Sequence, residues 1–479
     1  MRSAIALAIM ASALSGCVSL APQDPRPDLS VPSEFDPDLR PDGSVVAAEL
    51  SYDEWFPDDR LNALIANALA NNRDLIAATA RIAQARARFS IQDSRRLPEI
   101  VASASGSRTR QALTTGVTTG QGAPEPLQPD SITFNRFQVG VGIASYELDF
   151  WGRIANLSEA ARAEYLATIA AQRAFYLSLI ADTATTYYEI VETEEQIALA
   201  QATAQSRREG LRIAQLRLDA GVTSALPFRQ AETLLTQAEQ QLAVERLALA
   251  RLRNQLVVLV GGTIPNDLPG GLELAGQADD RRLEAGISSD LLLVRPDIVA
   301  AEERLRAARA NIGAARAAFF PSISLTGNAG LTSNSLDGLF GTDGFGWSFG
   351  PSISLPIFDA GARRADLALS QAQETELFAS YDRAVQTAFR EVADALAGRR
   401  YLAEQIDTLE RALIAQERIA RLAQLRYREG VADYLEVLDA ERNLFDAQQQ
   451  LLTTRRAWLQ NRATLFVSLG GGFDQDVDN

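Results

Sequence analysis

The sequence contains no histidine and only one cysteine among its 479 residues. Without histidine it lacks the commonest general base at neutral pH, and one cysteine cannot form a Cys/His zinc cluster or an intrachain disulfide framework. Aspartate and glutamate remain available for acid–base chemistry, so these absences argue against an enzyme without excluding one. We therefore predict a protein without catalytic activity, metal or cofactor.

The chain is also short of positive charge and of long apolar runs. Its formal net charge of −15 argues against nucleic acid as a partner, because such a chain is poorly suited to neutralising phosphates. Beyond the N-terminus no apolar run reaches the ~20 residues that a membrane-spanning helix needs. Many Ala, Glu, Gln and Arg residues instead favour long helices.

The N-terminus is typical of an exported protein. Arg2 precedes an apolar stretch, and Leu14-Ser15-Gly16-Cys17 resembles the cleavage site of a bacterial lipoprotein signal. Residues 1–16 are then the signal peptide, Cys17 carries a diacylglycerol, and residues 17–58 form a lipidated tether. The alternative is an ordinary signal peptide followed by a chance cysteine. No Asp follows Cys17, which by analogy favours the outer membrane over retention at the inner membrane.

Two segments of the chain are duplicates. Residues 213–222 read IAQLRLDAGV and residues 422–431 read LAQLRYREGV, at a spacing of 209 residues. Asp74 and Asp297 correspond at a spacing of 223, so the first half holds 14 extra residues between these two matches. The pattern predicts a structural unit that occurs twice.

Each half is predicted to carry one shorter helix and two long ones, because proline and glycine are rare over these stretches. The predicted helices are residues 61–96, which a break near Asn71-Asn72 could divide, 152–209 and 228–260 in the first half, and 297–319, 362–429 and 434–469 in the second. The first repeat is assigned to residues 59–262, a linker to 263–296, the second repeat to 297–472 and an acidic tail to 473–479.

Between the helices the apolar residues alternate with a period of two, which predicts strands near residues 100–108, 134–148, 322–333 and 345–357. Their length suits either outer-membrane barrel strands or a soluble four-stranded sheet. Four strands cannot close a barrel, and an open sheet edge is not tolerated in lipid, so a membrane barrel would need further copies of the chain. Three copies would supply twelve strands. The extra residues of the first half are assigned to an exposed loop at 109–131.

Three motifs resemble the TolC-like outer-membrane efflux proteins: FFPSISL at 319–325, LPIFDAGARR at 355–364 and LRYREGVADYLEVLDAERNLFDAQQQL at 425–451. With the lipoprotein signal, the chain is similar to the NodT-type branch that serves resistance-nodulation-division pumps. The resemblance implies a mainly α fold with a membrane β-barrel, in which a homotrimer builds a twelve-stranded barrel continued by a long α-helical barrel in the periplasm. It implies an equatorial belt, with residues 263–296 and the C-terminus as candidates.

The resemblance also implies the function and partners. They are those of a lipid-anchored outer-membrane exit duct, which receives small molecules from an inner-membrane pump and a periplasmic adaptor. The turns that end the long helices would be the adaptor-docking tips, although helix-stop glycines alone explain the turns. The implied docking residues are Arg217, Gly221, Val222, Thr223, Arg426, Gly430, Val431 and Ala432.

The resemblance implies a periplasmic gate at Tyr427, Glu436 and Asp439. Three copies of each carboxylate around a narrow axis would repel one another and attract cations. If the resemblance is set aside, the sequence favours the interpretation that both carboxylates are ordinary solvent-exposed charges on a helix. The chain departs from the family pattern at Leu226-Pro227 and at Ala432, where well-known members place a Thr-Asp pair and an arginine.

Two other functions remain open. One is the outer-membrane component of a type I secretion system, which shares the same body. The other is a structural coiled-coil lipoprotein of the periplasm without a pore, against which the alternating strands in both halves argue.

Overall fold

The computed structural model describes residues 19–22, 30–32, 34–39, 50–112, 131–277, 294–341 and 344–471. The signal peptide, Cys17 and the acidic tail at 473–479 lie outside the described residues, as do residues 278–293 of the predicted linker.

The helices of the described residues occur in two matching sets. The first set follows the short helix α1 (Tyr52–Trp55) and a helix α2 (Asp59–Asn71), and it comprises α3 (Arg73–Ser94), α4 (Arg153–Asp219) and α5 (Ala225–Leu259). The second set is α6 (Pro296–Ala317), α7 (Ala362–Arg428) and α8 (Tyr434–Ser468). Corresponding helices have equal lengths of 22, 67 and 35 residues. Equal lengths in the two sets agree with a duplicated unit.

Four strands form one antiparallel sheet in the order β1 (Val101–Ala112), β2 (Ser131–Leu148), β3 (Ser322–Ser333) and β4 (Phe345–Ser354). The central pairing, β2 with β3, joins the two repeats, and it contains a register shift between Ile143 and Tyr146. In the part of the chain that the structure describes, β1 and β4 are therefore the two edges of the sheet, and the residues of β1 are exposed throughout.

The prediction that the extra residues of the first half form a loop at 109–131 is wrong in part. Thr109–Ala112 continue β1 and pair with residues 131–134 of β2, because the ladder extends beyond the apolar alternation. β2 has 18 residues against 10 in β4, so part of the extra length lies in a longer strand. Residues 113–130 lie outside the described residues.

The chain divides into two compact units, and each contains parts of both repeats rather than one repeat. The first comprises residues 1–25, 85–165 and 304–377 and contains the sheet. The second comprises residues 26–84, 166–303 and 378–479 and contains the main hydrophobic core.

The prediction of a tether up to residue 58 is wrong at its C-terminal end. Trp55 and Phe56 are buried against Phe466 of α8 in the core of the second unit. Phe35 is buried and stacks on Phe389 of α7 at 4.6 Å between ring centroids. Burial of three aromatic side chains stabilises this segment against the helices, so an extended solvated tether does not describe it.

Within the described residues, none of the helices combines the length and the apolar character that a membrane span requires.

Candidate functional site

The two long helices α4 and α7 end in the same type of turn. The N–H of Gly221 donates to Leu218 O at 2.9 Å and that of Val222 to Arg217 O at 3.1 Å. The N–H of Gly430 donates to Tyr427 O at 3.1 Å and that of Val431 to Arg426 O at 2.9 Å. These bonds make the Schellman motif, which satisfies the last carbonyls of a helix.

Both turns need glycine, because φ is +68° at Gly221 and +75° at Gly430. A non-glycine residue in this region costs about 1–2 kcal/mol. An added Cβ at either glycine would meet no atom within 4 Å. The requirement is therefore conformational, and the space in front of both glycines is open. We call residues 216–227 the first tip and residues 425–436 the second tip.

Each tip exposes three large apolar side chains at equivalent positions. Val222 is 65% exposed and its equivalent Val431 is 70% exposed. Each valine is flanked by an exposed leucine on the helix before the turn and another on the helix after it. The six residues are Leu216, Val222 and Leu226 in the first tip, and Leu425, Val431 and Leu435 in the second. Apolar groups that gather on an exposed surface mark interaction sites.

Tyr427, one of the predicted gate residues, connects the two tips within one chain. The guanidinium of Arg217 lies over the Tyr427 ring, at 4.7 Å from its centroid. The rings of Tyr427 and Tyr434 are 5.1 Å apart and inclined at 51°. Tyr427 is thus held between a cation of the first tip and a ring of the second, and such a cation–π contact contributes ~0.5–1 kcal/mol at an exposed site.

The two predicted gate carboxylates each have an arginine partner in their own chain. Glu436 accepts from Arg426 at 2.9 Å across the second tip, and Asp439 accepts from Arg442 at 2.8 Å along α8. All four side chains are largely exposed, so each pair contributes about 0–1 kcal/mol. These arginines partly neutralise the carboxylates that the sequence predicts as gate charges.

Within the second tip, Tyr434 is buried at the start of α8. Its hydroxyl lies against Gly210 of α4, where an added Cβ would be 2.9 Å from the oxygen. Burial raises the pKa of Tyr434 to about 12, with smaller contributions from Glu441 and Tyr427 and an opposing one from Arg207. The phenol is therefore held in its neutral form.

Arg207 of α4 is a buried cation close to this tyrosine. It is 6% exposed, donates to Leu234 O at 2.9 Å and lies over the Phe445 ring. Its Nε has no partner among the described residues, and burial lowers the pKa of the guanidinium. The hydrogen bond from Arg207 to Leu234 O links α4 to α5 below the tips.

The structure brings together most of the predicted site residues. Arg217, Tyr427, Arg426 and Glu436 form contacts at the tips, whereas Asp439 contacts Arg442 further along α8. Thr223 and Ala432 follow the two turns and are half-buried. The prediction missed the exposed leucines of both tips. The 209-residue spacing could have identified them, because a leucine before and a leucine after the turn glycine recur at equivalent positions in the two tips. It also missed Arg207 and Tyr434, whose roles depend on helix packing.

Comparisons with known proteins agree with one another. A family described as "Outer membrane efflux protein" matches residues 64–262 and 287–471. The solvent efflux pump outer membrane protein SrpC of Pseudomonas putida is 43% identical over 90% of this chain and 89% of its own. The cation efflux system protein CusC of Escherichia coli (strain K12) is 37% identical over 97% of this chain and 98% of its own. The open-state crystal structure of the Neisseria gonorrhoeae MtrE outer membrane channel has a TM-score of 0.85 at 37% identity, covering 96% of this chain and all of that one.

Proposed function

Because the chain belongs to the outer membrane efflux protein family, we propose that it is the outer-membrane exit duct of a tripartite efflux system. Its predicted fold class is confirmed at the level of a mainly helical, duplicated chain with a portion of antiparallel strands, as in the outer-membrane channels that it resembles. The duct receives its cargo from an inner-membrane pump, of the resistance-nodulation-division type, through a periplasmic adaptor. It carries out no catalytic step.

The observation that carries this proposal is the sheet with two open edges. Among the described residues β1 and β4 each have one unpaired side, and exposed apolar residues such as Trp347 and Phe349 alternate along β4. Because lipid offers no hydrogen-bond partners, those edges must be paired with other strands. A homotrimer pairs β4 of one copy with β1 of the next and closes a barrel of twelve strands.

Native mass spectrometry of the protein extracted from outer membranes, with single-channel recording on the same sample, tests the duct. We expect a trimer with a small and mostly closed conductance. A monomer without conductance would leave the sheet edges unpaired and would favour the pore-free coiled-coil lipoprotein.

The cargo is proposed to be small molecules. SrpC is named as part of a solvent efflux pump and CusC as part of a cation efflux system, so related ducts serve chemically different cargoes. We infer that the pump selects the cargo and that the duct accepts what is delivered. An outer-membrane component of a type I secretion system would have the same fold, and no feature of the described residues favours that function.

The two tips are the proposed docking surface for the adaptor. Their open glycines leave room for a close approach, and three exposed apolar residues at each tip supply a contact surface. Since the first and second tips present these residues at equivalent positions, one type of adaptor surface can bind both.

The proposed gate consists of Tyr427, Glu436 and Asp439 at and just beyond the second tip. The contact of Arg217 with Tyr427 holds the first tip against the second, in a chain that lacks the Thr-Asp pair and the arginine of well-known members. Opening the gate would separate Arg217 from Tyr427. The carboxylates, each paired with an arginine, would then attract cations less strongly than a ring of unpaired acids.

The lipid anchor at Cys17 is the last part of the proposal, and the composition offers a direct test. The chain contains no lysine, so after cleavage before Cys17 its only primary amine is the new α-amino group. We expect mature protein of wild-type sequence to incorporate labelled palmitate, and Cys17→Ser to incorporate none. Mass spectrometry after treatment with an amine-reactive reagent gives the state of the amino group. An unacylated mature chain that gains one label would indicate an ordinary signal peptide.

A further inference from the structure

The first described residues of the chain bind between two helices of the first unit. The Ser19 hydroxyl donates to Asn156 Oδ1 of α4 at 2.8 Å, and Arg316 Nη1 of α6 donates to Leu20 O at 3.0 Å. Gly313 of α6 faces Ala21, and an added Cβ there would be 2.8 Å from the Ala21 backbone nitrogen. We call Asn156, Gly313 and Arg316 the N-terminal notch.

The notch is shaped for a backbone rather than for a side chain. The Cβ that would meet Ala21 would also lie 2.8 Å from Asn156 Nδ2, so any residue larger than glycine displaces one of its neighbours. Close by, α4 and α6 pack through alanines, which lets the two helices approach closely; these are Ala160, Ala163, Ala307 and Ala310.

Asn156 gives a second indication that the notch binds this segment. It is 5% exposed, and its Nδ2 has no partner among the described residues. A buried amide group is costly when it is left without a hydrogen bond. The Ser19 hydroxyl supplies that bond to Oδ1, whereas Nδ2 stays unpaired among the described residues.

We propose that the notch is an intramolecular docking site that ties the lipidated end of the mature chain directly to the strand-bearing unit. This inference rests on the proposed lipid anchor, since Cys17 is two residues before Ser19 in the sequence. With the notch occupied, the linker, by which we mean the chain from Cys17 to the first described contact, spans two residues. Without it, the next described contact is that of Ser30 with Asp382, and the linker spans thirteen residues.

A shorter linker raises the local concentration of the strands at the membrane in which the lipid is inserted. Effective concentration falls roughly as the −3/2 power of linker length, so releasing the notch lowers it by on the order of tenfold. The docked terminus should therefore speed insertion of the strands, and only in a chain that carries the lipid.

The rate at which newly made protein becomes a heat-resistant oligomer in the outer membrane tests this inference. Two notch variants are compared, Asn156→Ala with Arg316→Gln, and Gly313→Val, because both leave the signal sequence and Ser19 unchanged. Arg162→Gln serves as the matched control, since it removes an exposed ion pair with Glu159 on the same helix α4. Each is made in the lipidated chain and in a chain with Cys17→Ser behind an ordinary cleavable signal peptide.

We expect both notch variants to slow assembly severalfold, up to about tenfold, in the lipidated chain and to add no slowing in the Cys17→Ser chain. Equal slowing in both chains would show a merely structural role and overturn the coupling, as would unchanged assembly in the lipidated chain. An unacylated wild type, read from its mass alone, would overturn the anchor itself. Hydrogen exchange at residues 19–21 reports docking separately, and we expect faster exchange in both variants.

Discussion

The first and second tips have the same turn and the same exposed apolar residues, yet their chemistry differs. At positions 209 residues apart, Leu218 stands where the second tip has Tyr427, and Pro227 where it has Glu436. The first turn of α5 contains no acidic residue, whereas that of α8 contains Glu436. The duplicated features suit a surface that binds one partner twice, and the features confined to the second tip suit a gate.

The contact between Arg217 and Tyr427 depends on this difference, because only the second tip has a tyrosine at this position. Arg217 has the equivalent Arg426 in the second tip, but the two arginines have different partners: Arg217 lies on Tyr427, and Arg426 pairs with Glu436. The same residue type thus connects the two tips in one case and lies within one tip in the other. The proposed gate therefore depends on both tips, although the residues assigned to it lie in the second tip and just beyond it.

The largest effect is expected from a side chain at the turn glycines. Gly221→Val and Gly430→Val should each abolish most export while the trimer remains abundant, because the new side chain projects into the open space where we propose that the adaptor docks. Gly470→Val is the matched control: φ is +78°, the turn has the same hydrogen bonds, and no described atom lies within 4 Å of an added Cβ. All three carry the same strain of about 1–2 kcal/mol.

Cellular resistance to an exported compound, measured beside trimer abundance, decides this prediction. If Gly470→Val reduced export as much as the tip variants, strain would account for the loss. If only one tip variant lost export, the two tips would not bind the same kind of surface.

A smaller effect is expected from removing the aromatic gate contact. Tyr427→Leu gives the second tip the residue type of the first and should raise the open probability of single channels two- to fivefold, corresponding to a cation–π contact of ~0.5–1 kcal/mol. Tyr427→Phe keeps the ring and should behave like the wild type, whereas Arg217→Gln should resemble Tyr427→Leu. Open channels of Tyr427→Phe would assign the closure to the hydroxyl instead.

The gate carboxylates should have a weaker influence still. Glu436→Gln with Asp439→Asn should reduce the preference for cations over anions by about twofold, because neighbouring arginines already offset part of the charge. Glu232→Gln is the control, since Glu232 forms a comparable exposed pair with Arg229 on α5. Reversal potentials in a salt gradient measure the preference, and equal shifts in both would place the effect outside the gate.

Local signals in the sequence were sufficient for the helices, the strands and both tip turns. The duplicated LRxxxGV pattern and its glycines identified the turns, since a helix that ends at a residue with positive φ usually has glycine at that position. Equal helix lengths in the two halves follow from the same duplication.

The remaining features depend on contacts between distant segments. Nothing near Phe35 or Trp55 distinguishes a packed segment from a tether, because their burial depends on Phe389 and Phe466. The pairing of Glu436 with Arg426 also requires the turn between α7 and α8, which brings together two residues that are ten positions apart in the sequence. The extent of β1 likewise follows from its partner strand rather than from its own residues.

The smallest effect at neutral pH, and one that distinguishes the two helices that follow the tips, α5 and α8, concerns Tyr434 of α8, where α5 has Ala225. Its folded pKa of about 12 exceeds the ordinary value of 10 because the phenol is buried. The folded state therefore keeps this proton where the unfolded state loses it. The stabilisation by the neutral phenol is complete below pH 10 and is lost as the pH rises towards 12. Tyr434→Phe should weaken this alkaline loss of stability in α8 and in α4, against which its hydroxyl lies, and should change α5 less. Hydrogen exchange of α5 and α8 between pH 9 and 12, corrected for the intrinsic rate, measures the difference; equal losses in both helices would mean that the tyrosine does not act locally.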